Sequence, residues 1–311
     1  MALNLKKQLR KNPFILAPMA GVTDIAFREL CEEMGASYTC SELMPVEGLA
    51  RGKVPRSLYE RRNLRINCIQ LFGSVSESFS KAVEAIRDEA DIIDINFGCP
   101  AYTLTSRNCG SVLLKDPGSV GKIVSAAVKM SGAPVTAKIR LGYKQKNYLD
   151  IAREIEQAGA EAITLHARTA EQKYSGRADW QAIKALYEQS GILIIGNGDI
   201  KSEEDIDRYL GTYADGLMVG RAAMGNPAIF KSFCHYFRTG ELLEREGKEY
   251  QKKLFAKYLD KLKGTEILGD LVRLRLQATW FFRGFNGSKD LRVKILSSES
   301  LSEVLDHVEN F

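Results

Sequence analysis

The chain has 311 residues, a 45% hydrophobic fraction and a formal net charge of +5, which is enough apolar material for a full core without covalent or metal staples. Its six cysteines (Cys31, Cys40, Cys68, Cys99, Cys109, Cys234) form no C-x-x-C pair and its three histidines are scattered. That pattern disfavours a zinc centre and a disulfide framework, so no metal is expected. No run of about 18 apolar residues is present to span a membrane, and the opening MALNLKKQLRKNPF lacks the apolar core of a signal peptide. A cytoplasmic protein with no membrane partner, and a monomer, is the expectation.

Charge is unevenly spread. Arg51 to Arg65 carries six basic residues against one acidic, and Lys252 to Lys294 carries eleven against four, which leaves the remainder net acidic. Two basic patches on a slightly acidic body point to a polyanionic partner, with solvated helix faces as the alternative.

In chain order, Phe14 to Pro18 reads as a short buried strand that turns through Met19, Ala20 and Gly21 into a helix. Thr23 or Asp24 can cap that helix, whose Phe27, Leu30, Cys31 and Met34 recur at helical spacing. Strands follow at Ser37 to Leu43 and, after the basic loop, at Ile66 to Phe72, the latter near Gln70 and Gly73. Helix Ser76 to Ile86 leads to the apolar run Ile92 to Phe97, which ends abruptly in Gly98, Cys99 and Pro100, with Asn96 beside them. A helix through about Met130 precedes the strand Pro134 to Leu141, where Lys138 and Arg140 alternate by two and so share one side. Two cations projecting together from a buried strand are costly unless they meet an anion or an electron-rich ligand. Helix Tyr148 to Ala158, with Gly159 as its stop, leads to strand Ala162 to His166. Strand Ile192 to Ile195 ends in GNGDI, and strand Gly216 to Val219 ends in GRA, with a helix near Ser202 and Asp205 between them. From about Glu241 the pattern is helical only: Leu271, Leu274, Ala278, Phe281, Phe282 and Phe285 recur at helical spacing among Arg273, Arg275 and Arg283.

Eight strand–helix alternations of roughly 30 residues predict a (β/α)8 TIM barrel over residues 1–240, followed by a small all-helical domain over 241–311. A doubly wound open sheet is the competing architecture, although it normally needs fewer strands. In a barrel the strand-end residues converge on one mouth: Met19, Gln70, Asn96, Cys99, Lys138, Arg140, His166, Asn197 and Arg221. A lone cysteine in a turn is commonly a small apolar packing residue; its company at the strand ends makes Cys99 a candidate for chemistry. GNGDI and GRA stand at strands seven and eight, whose loops commonly hold a phosphate, and their glycines let backbone N–H groups approach an anion. A flat phosphorylated cofactor such as flavin mononucleotide (FMN) suits this set, with Lys138 placed to stabilise negative charge on a reduced ring.

Eight segments carry a resemblance: PMAGVTD (Pro18 to Asp24), QLFG (Gln70 to Gly73), INFGCP (Ile95 to Pro100), VTAKIRLG (Val135 to Gly142), LHART (Leu165 to Thr169), YSGRADW (Tyr174 to Trp180), GNGDI (Gly196 to Ile200) and MVGRAAMGNP (Met218 to Pro227). In this order and spacing the chain resembles the tRNA-dihydrouridine synthases over nearly its whole length, and its tail, with FFRGFNGSKDLR, is similar to their RNA-binding domain. The resemblance implies FMN-dependent reduction of specific uridines in tRNA to 5,6-dihydrouridine, with NADPH as electron donor. Hydride would pass from FMN to uracil C6 and a proton from Cys99 to C5. It assigns the cofactor to Pro18, Met19, Gln70, Lys138, His166, Asn197, Asp199, Gly220 and Arg221, beside which Ala20 and Gly198 are further cofactor candidates. Asn96, Arg140 and Tyr174 at the mouth and Arg273, Arg275 and Arg283 of the basic helical tail are the candidates for meeting substrate. Two departures stand out: SRNCGSVLL replaces the family's KxGAGSALL, so Asn108-Cys109 takes the place of a small Gly-Ala pair, and HART replaces HGRT. The alternative function is an FMN barrel acting on a free pyrimidine or another small molecule.

Overall fold

A computed structural model describes residues 3–244 and 246–311; Met1 and Ala2 of the opening segment and Arg245 of the tail lie outside the described residues. In chain order the elements are α1 (Leu5–Lys11), β1 (Phe14–Leu16), α2 (Ile25–Glu33), β2 (Tyr38–Pro45), α3 (Val46–Ala50), β3 (Asn67–Phe72), α4 (Ser76–Ala85), β4 (Ile92–Asn96), α5 (Tyr102–Thr105), α6 (Pro117–Met130), β5 (Val135–Arg140), α7 (Tyr148–Gln157), β6 (Ala162–His166), α8 (Trp180–Gln189), β7 (Leu193–Asn197), α9 (Glu204–Tyr209), β8 (Gly216–Val219) and α10 (Ile229–Thr239). Four further helices follow: α11 (Lys248–Lys261), α12 (Leu271–Phe281), α13 (Ser288–Ser297) and α14 (Leu301–Glu309).

The eight strands are parallel and close into a barrel, β1 pairing with both β2 and β8. Strands of such a barrel are covered on both faces, which is why their sequences read as near-continuous apolar runs rather than alternating ones. Alternation survives inside the barrel in another form. Ile15, Cys40, Cys68, Ile92, Ala162, Ile195 and Met218 cluster with Leu5 and Leu9 of α1, apart from the main core. Two residues further along the same strands stand Gln70, Asp94, Thr164 and Asn197, all buried. Since residues i and i+2 share a face of a strand, the barrel interior has an apolar floor with a polar layer above it.

Local signals set the helix ends. Asp24 caps α2 by accepting from the Phe27 N–H at 2.9 Å. Asp116 caps α6 behind Pro117, and Gly159, at φ +92°, ends α7. Ahead of α9, Asp205 inside the helix reaches back to accept the N–H groups of Lys201 and Ser202 at 2.9 and 3.2 Å, as the Ser202–Asp205 spacing leads one to expect.

The C-terminal helices share the main core with the barrel. Phe281 meets Phe27 of α2 edge-on at 6.2 Å and stacks obliquely on Tyr258 at 5.8 Å. Tyr258 donates its hydroxyl to Asp24 at 2.9 Å, and Gln277 donates to the Val22 carbonyl at 2.9 Å. Gly225 (φ +67°) admits α12 at backbone distance; a Cβ there would lie 2.1 Å from the Trp280 carbonyl carbon.

The basic loop is largely spoken for within the chain. Arg56 pairs with Glu89, Arg61 with Asp91 at 2.6 Å, Arg62 with Glu29 at 3.4 Å and Arg65 with Glu32 at 3.4 Å. Local charge counting saw six cations and missed the acids that α2 and the α4–β4 turn bring to them.

Candidate active site at the carboxyl ends of the strands

The strand-end residues expected at the mouth gather at the carboxyl ends of the strands, except that Gln70 lies fully buried in the polar layer just below. Lys138 projects from β5 across β6 and donates to Asn197 Oδ1 on β7 at 3.0 Å, while Asn197 Nδ2 donates to the Met218 carbonyl at 2.7 Å. The amide of Asn197 is therefore fixed with its oxygen toward the cation. Burial, with Arg140 adding to it, pulls the Lys138 ammonium down from 10.5 to about 8.

Arg140 is buried, and its partners are backbone rather than acid. It donates to the Gly98 carbonyl at 2.7 Å and to the Thr169 and Lys173 carbonyls at 3.1 and 2.9 Å. It thus staples the Cys99 loop to the loop after β6. Cys99 is the one cysteine of the six that is not buried. Its N–H and that of Gly98 donate to Asn96 Oδ1 at 3.0 and 3.2 Å. Gly110 (φ +67°) packs beneath this loop, where a Cβ would lie 2.7 Å from the Cys99 carbonyl oxygen. The unusual pair fits its place: Asn108 takes φ +55°, the left-handed region that asparagine tolerates, and Cys109 is buried with its thiol donating to the Arg107 carbonyl at 3.3 Å.

His166 ends β6 only 7% exposed among Lys138, Arg140, Arg168 and Arg221, and burial together with these cations holds it neutral at any ordinary pH. Arg168 lies 3.4 Å from His166 Nε2 and can only donate, so that nitrogen accepts and the proton sits on Nδ1. Arg168 also grips Asp199 at 2.8 and 3.0 Å, and Arg221 reaches the same carboxylate at 3.0 Å. Tyr174 is exposed beside this group, with the Arg221 and Arg140 guanidiniums 5.0 and 5.9 Å from its ring. The exits of β1 and β8 meet here too: Pro18 and Met19 are half-buried and Ala20 exposed, and a Cβ on Gly220 would touch Ala17 and Met19 at 3.8 and 3.9 Å.

The donor set suits a phosphate. Among the described residues, the N–H groups of Gly198, Asp199, Gly220 and Arg221 donate to no backbone carbonyl outside the strands and to no side chain. Gly198 (φ +125°) and Asp199 (φ +59°) turn there in left-handed backbone, and Arg221 adds a half-exposed charge.

Of the residues expected to touch substrate from the tail, two have partners within the chain. Arg273 pairs with Glu42 at 3.1 Å, and Arg275 donates to the Leu296 and Ser298 carbonyls at 2.8 and 3.1 Å. Arg283 is exposed and, among the described residues, its side chain has no hydrogen-bond or ion-pair partner, although its N–H donates to the Trp280 carbonyl at 3.3 Å. Sequence reasoning missed Arg168, Asp94 and Thr136. The available signal was an acid inside an apolar strand and an arginine two residues beyond the strand-end histidine.

Among the described residues no group of three His, Cys, Asp or Glu is placed to hold a metal ion, and no helix is long and apolar enough to cross a membrane. A closed parallel barrel that gathers buried cations and its one accessible thiol at the carboxyl ends of its strands has the build of a (β/α)8-barrel enzyme. The family model described as "Dihydrouridine synthase (Dus)" matches residues 15–311. The "Probable tRNA-dihydrouridine synthase" of Aquifex aeolicus is 36% identical over 311 residues, covering 96% of each chain. Proteins named "tRNA-dihydrouridine synthase B" from Pseudomonas putida and Klebsiella pneumoniae are 34% and 37% identical, covering 100% and 98% of this chain and 94% and 98% of theirs. The chain belongs to the dihydrouridine synthase family.

Proposed function

We propose that this enzyme reduces uridines in tRNA to 5,6-dihydrouridine, working in the cytoplasm as a monomer, with FMN held in the barrel mouth and NADPH as the source of electrons. The observation that carries the reading is the placement of Cys99: the accessible thiol stands on a loop pinned by Asn96 and Arg140, beside the half-buried Lys138. When bound, FMN would supply the hydride that reaches C6 of the uracil ring.

The chain's own residues do the rest. The phosphate would rest on the N–H groups of Gly198, Asp199, Gly220 and Arg221, with Pro18, Met19 and Ala20 lining the wall at β1. Lys138, held by Asn197, and neutral His166 face the ring system, where a cation stabilises developing negative charge. Gln70 and Asn96 offer carboxamides to ring carbonyls. Tyr174, between Arg140 and Arg221, offers a π-face to a uridine turned out of its stack. Cys99 gives its proton to C5. The helical part over 241–311 would hold tRNA, with Arg283 as the cation free to meet phosphate, while Arg273 and Arg275 shape the surface around it.

Cys99→Ala tests this. The variant is expected to purify yellow and bind tRNA normally, yet to lose uridine reduction by a factor of order 10² to 10⁴, the usual contribution of a general acid. A variant within a few-fold of the parent would overturn the assignment.

A further inference from the structure

A fully buried carboxylate that the proposed chemistry leaves unused lies just below the mouth. Asp94 on β4 is 1% exposed and is register-paired with Gln70 on β3 and with Thr136 on β5. Its Oδ1 accepts from Thr136 Oγ1 and its Oδ2 from Gln70 Nε2, each at 2.6 Å. Asn96 Nδ2 then donates to Gln70 Oε1 at 3.0 Å, and Asn96 Oδ1 takes the N–H groups of Gly98 and Cys99. The result is an unbroken chain of hydrogen bonds from the barrel wall to the backbone of the thiol-bearing loop.

Both middle members are carboxamides, whose oxygen and nitrogen exchange places by a half-turn about one torsion. If both turned, Asn96 would present its NH2 to two backbone N–H groups, and the loop would lose its anchor. The end of the chain that cannot give way is the strand-borne carboxylate, which only accepts when ionised. The end that can give way is the loop. Removing the fixed acceptor would therefore act at Cys99, three links away.

We propose that Asp94 is a positioning residue for Cys99: it fixes the polarity of the Gln70 and Asn96 amides and through them holds the Gly98–Cys99 backbone. The proposal deepens the reading of Cys99 as the proton donor and rests on it for its catalytic consequence, though not for its structural one.

The test has two readouts. One is the rate at which iodoacetamide alkylates Cys99, followed by peptide mass; it needs no bound cofactor, and the other five thiols are buried. The other is reoxidation of the NADPH-reduced holoenzyme by tRNA. Asp94→Ala should speed alkylation at least fivefold and slow reoxidation at least tenfold, with KM for tRNA within twofold. Asp94→Asn should bring both back to within threefold, because the Thr136 hydroxyl can turn to accept from the new amide and leave its oxygen facing Gln70. Asp94→Asn with Thr136→Val, which opens no cavity, removes that acceptor and should lose both again, even if Asp94→Ala fails to fold. Wild-type alkylation in the double variant overturns the proposal. So does an Asp94→Asn enzyme as impaired as the double variant, since charge rather than polarity would then be at work. Retained tRNA reduction in Cys99→Ala would instead overturn the reading of the thiol, with the alkylation result still deciding on Asp94.

Discussion

Arg273 of α12 and Glu42 of β2 form an ion pair 3.1 Å across, and the same carboxylate accepts the Gly21 N–H at 3.0 Å. The helix of the tail is thereby tied to the turn that follows β1, beside the expected cofactor wall. Arginine substitutions in the tail should sort by partner. Arg273→Ala and Arg275→Ala should each lower thermal stability, by about 1 kcal/mol for a lost partly buried ion pair or pair of carbonyl contacts. Arg283→Ala should leave the melting temperature unchanged and weaken tRNA binding, reducing the slope of log affinity against log salt by roughly 0.7 to 0.9. Melting curves and tRNA titrations at several salt concentrations separate the two classes; an Arg283 variant that melts early and binds normally would reverse the assignment.

Lys138 should leave a signature in the pH dependence of the protein's stability. Its ammonium titrates at about 8 in the fold against an ordinary 10.5, because burial penalises the charge. Between those values the unfolded chain holds a proton that the folded chain has released. Stability therefore rises with pH through this window. Lys138→Met should flatten the rise, and parallel melting profiles from pH 7.5 to 10.5 for parent and variant would contradict the buried-cation picture.

Asp24 should act with the opposite sign. Burial lifts its carboxyl from 3.8 to about 6 beneath the Tyr258 hydroxyl. Between those values the folded chain keeps a proton that the unfolded chain has lost, so the contribution is complete below about 4 and fades as pH rises through 6. Denaturant titrations at pH 4.5 and 7 should show a smaller difference for Asp24→Asn than for the parent. An equal difference would place the titrating group elsewhere.

The loop beneath Cys99 makes a prediction of its own. Gly110→Ala would force a Cβ to within 2.7 Å of the Cys99 carbonyl from left-handed backbone, and is expected to cost ~1–3 kcal/mol and most of the activity. Asn108→Gly, at φ +55°, should change stability by less than about 1 kcal/mol. Loss of activity in Asn108→Gly with normal folding would mean that the asparagine side chain itself meets substrate.

The barrel was legible because each strand is an apolar run closed by a polar or glycine exit, and the helical tail because its apolar residues recur every three or four positions. Most of the mouth was legible too, since strand ends of a parallel barrel must meet, but Arg168, which grips Asp199 and touches His166, was missed. What stayed hidden was pairing at a distance. Arg51 to Arg65 looked like a free basic patch until Glu29, Glu32, Glu89 and Asp91 took four of its arginines. Asp94 and Thr136 read as interruptions of β4 and β5, because nothing local reveals that they sit side by side across the sheet. Arg273 and Arg275 carry the charge expected of an RNA grip, but their partners lie about 230 and 20 residues away in the chain.

The common core of barrel and tail has a consequence for anyone building chimaeras. Phe27 faces Phe281, Asp24 holds Tyr258, Glu29 meets Lys261 and Gly225 yields to Trp280, so the seam runs through α2 and the turn after β8 rather than through the chain near residue 240. A tail grafted from a relative would have to bring the outer side of α2 and the Gly225 turn with it. A graft joined at the linker alone would set mismatched aromatics against each other, and the hybrid would fail in folding before its specificity could be read.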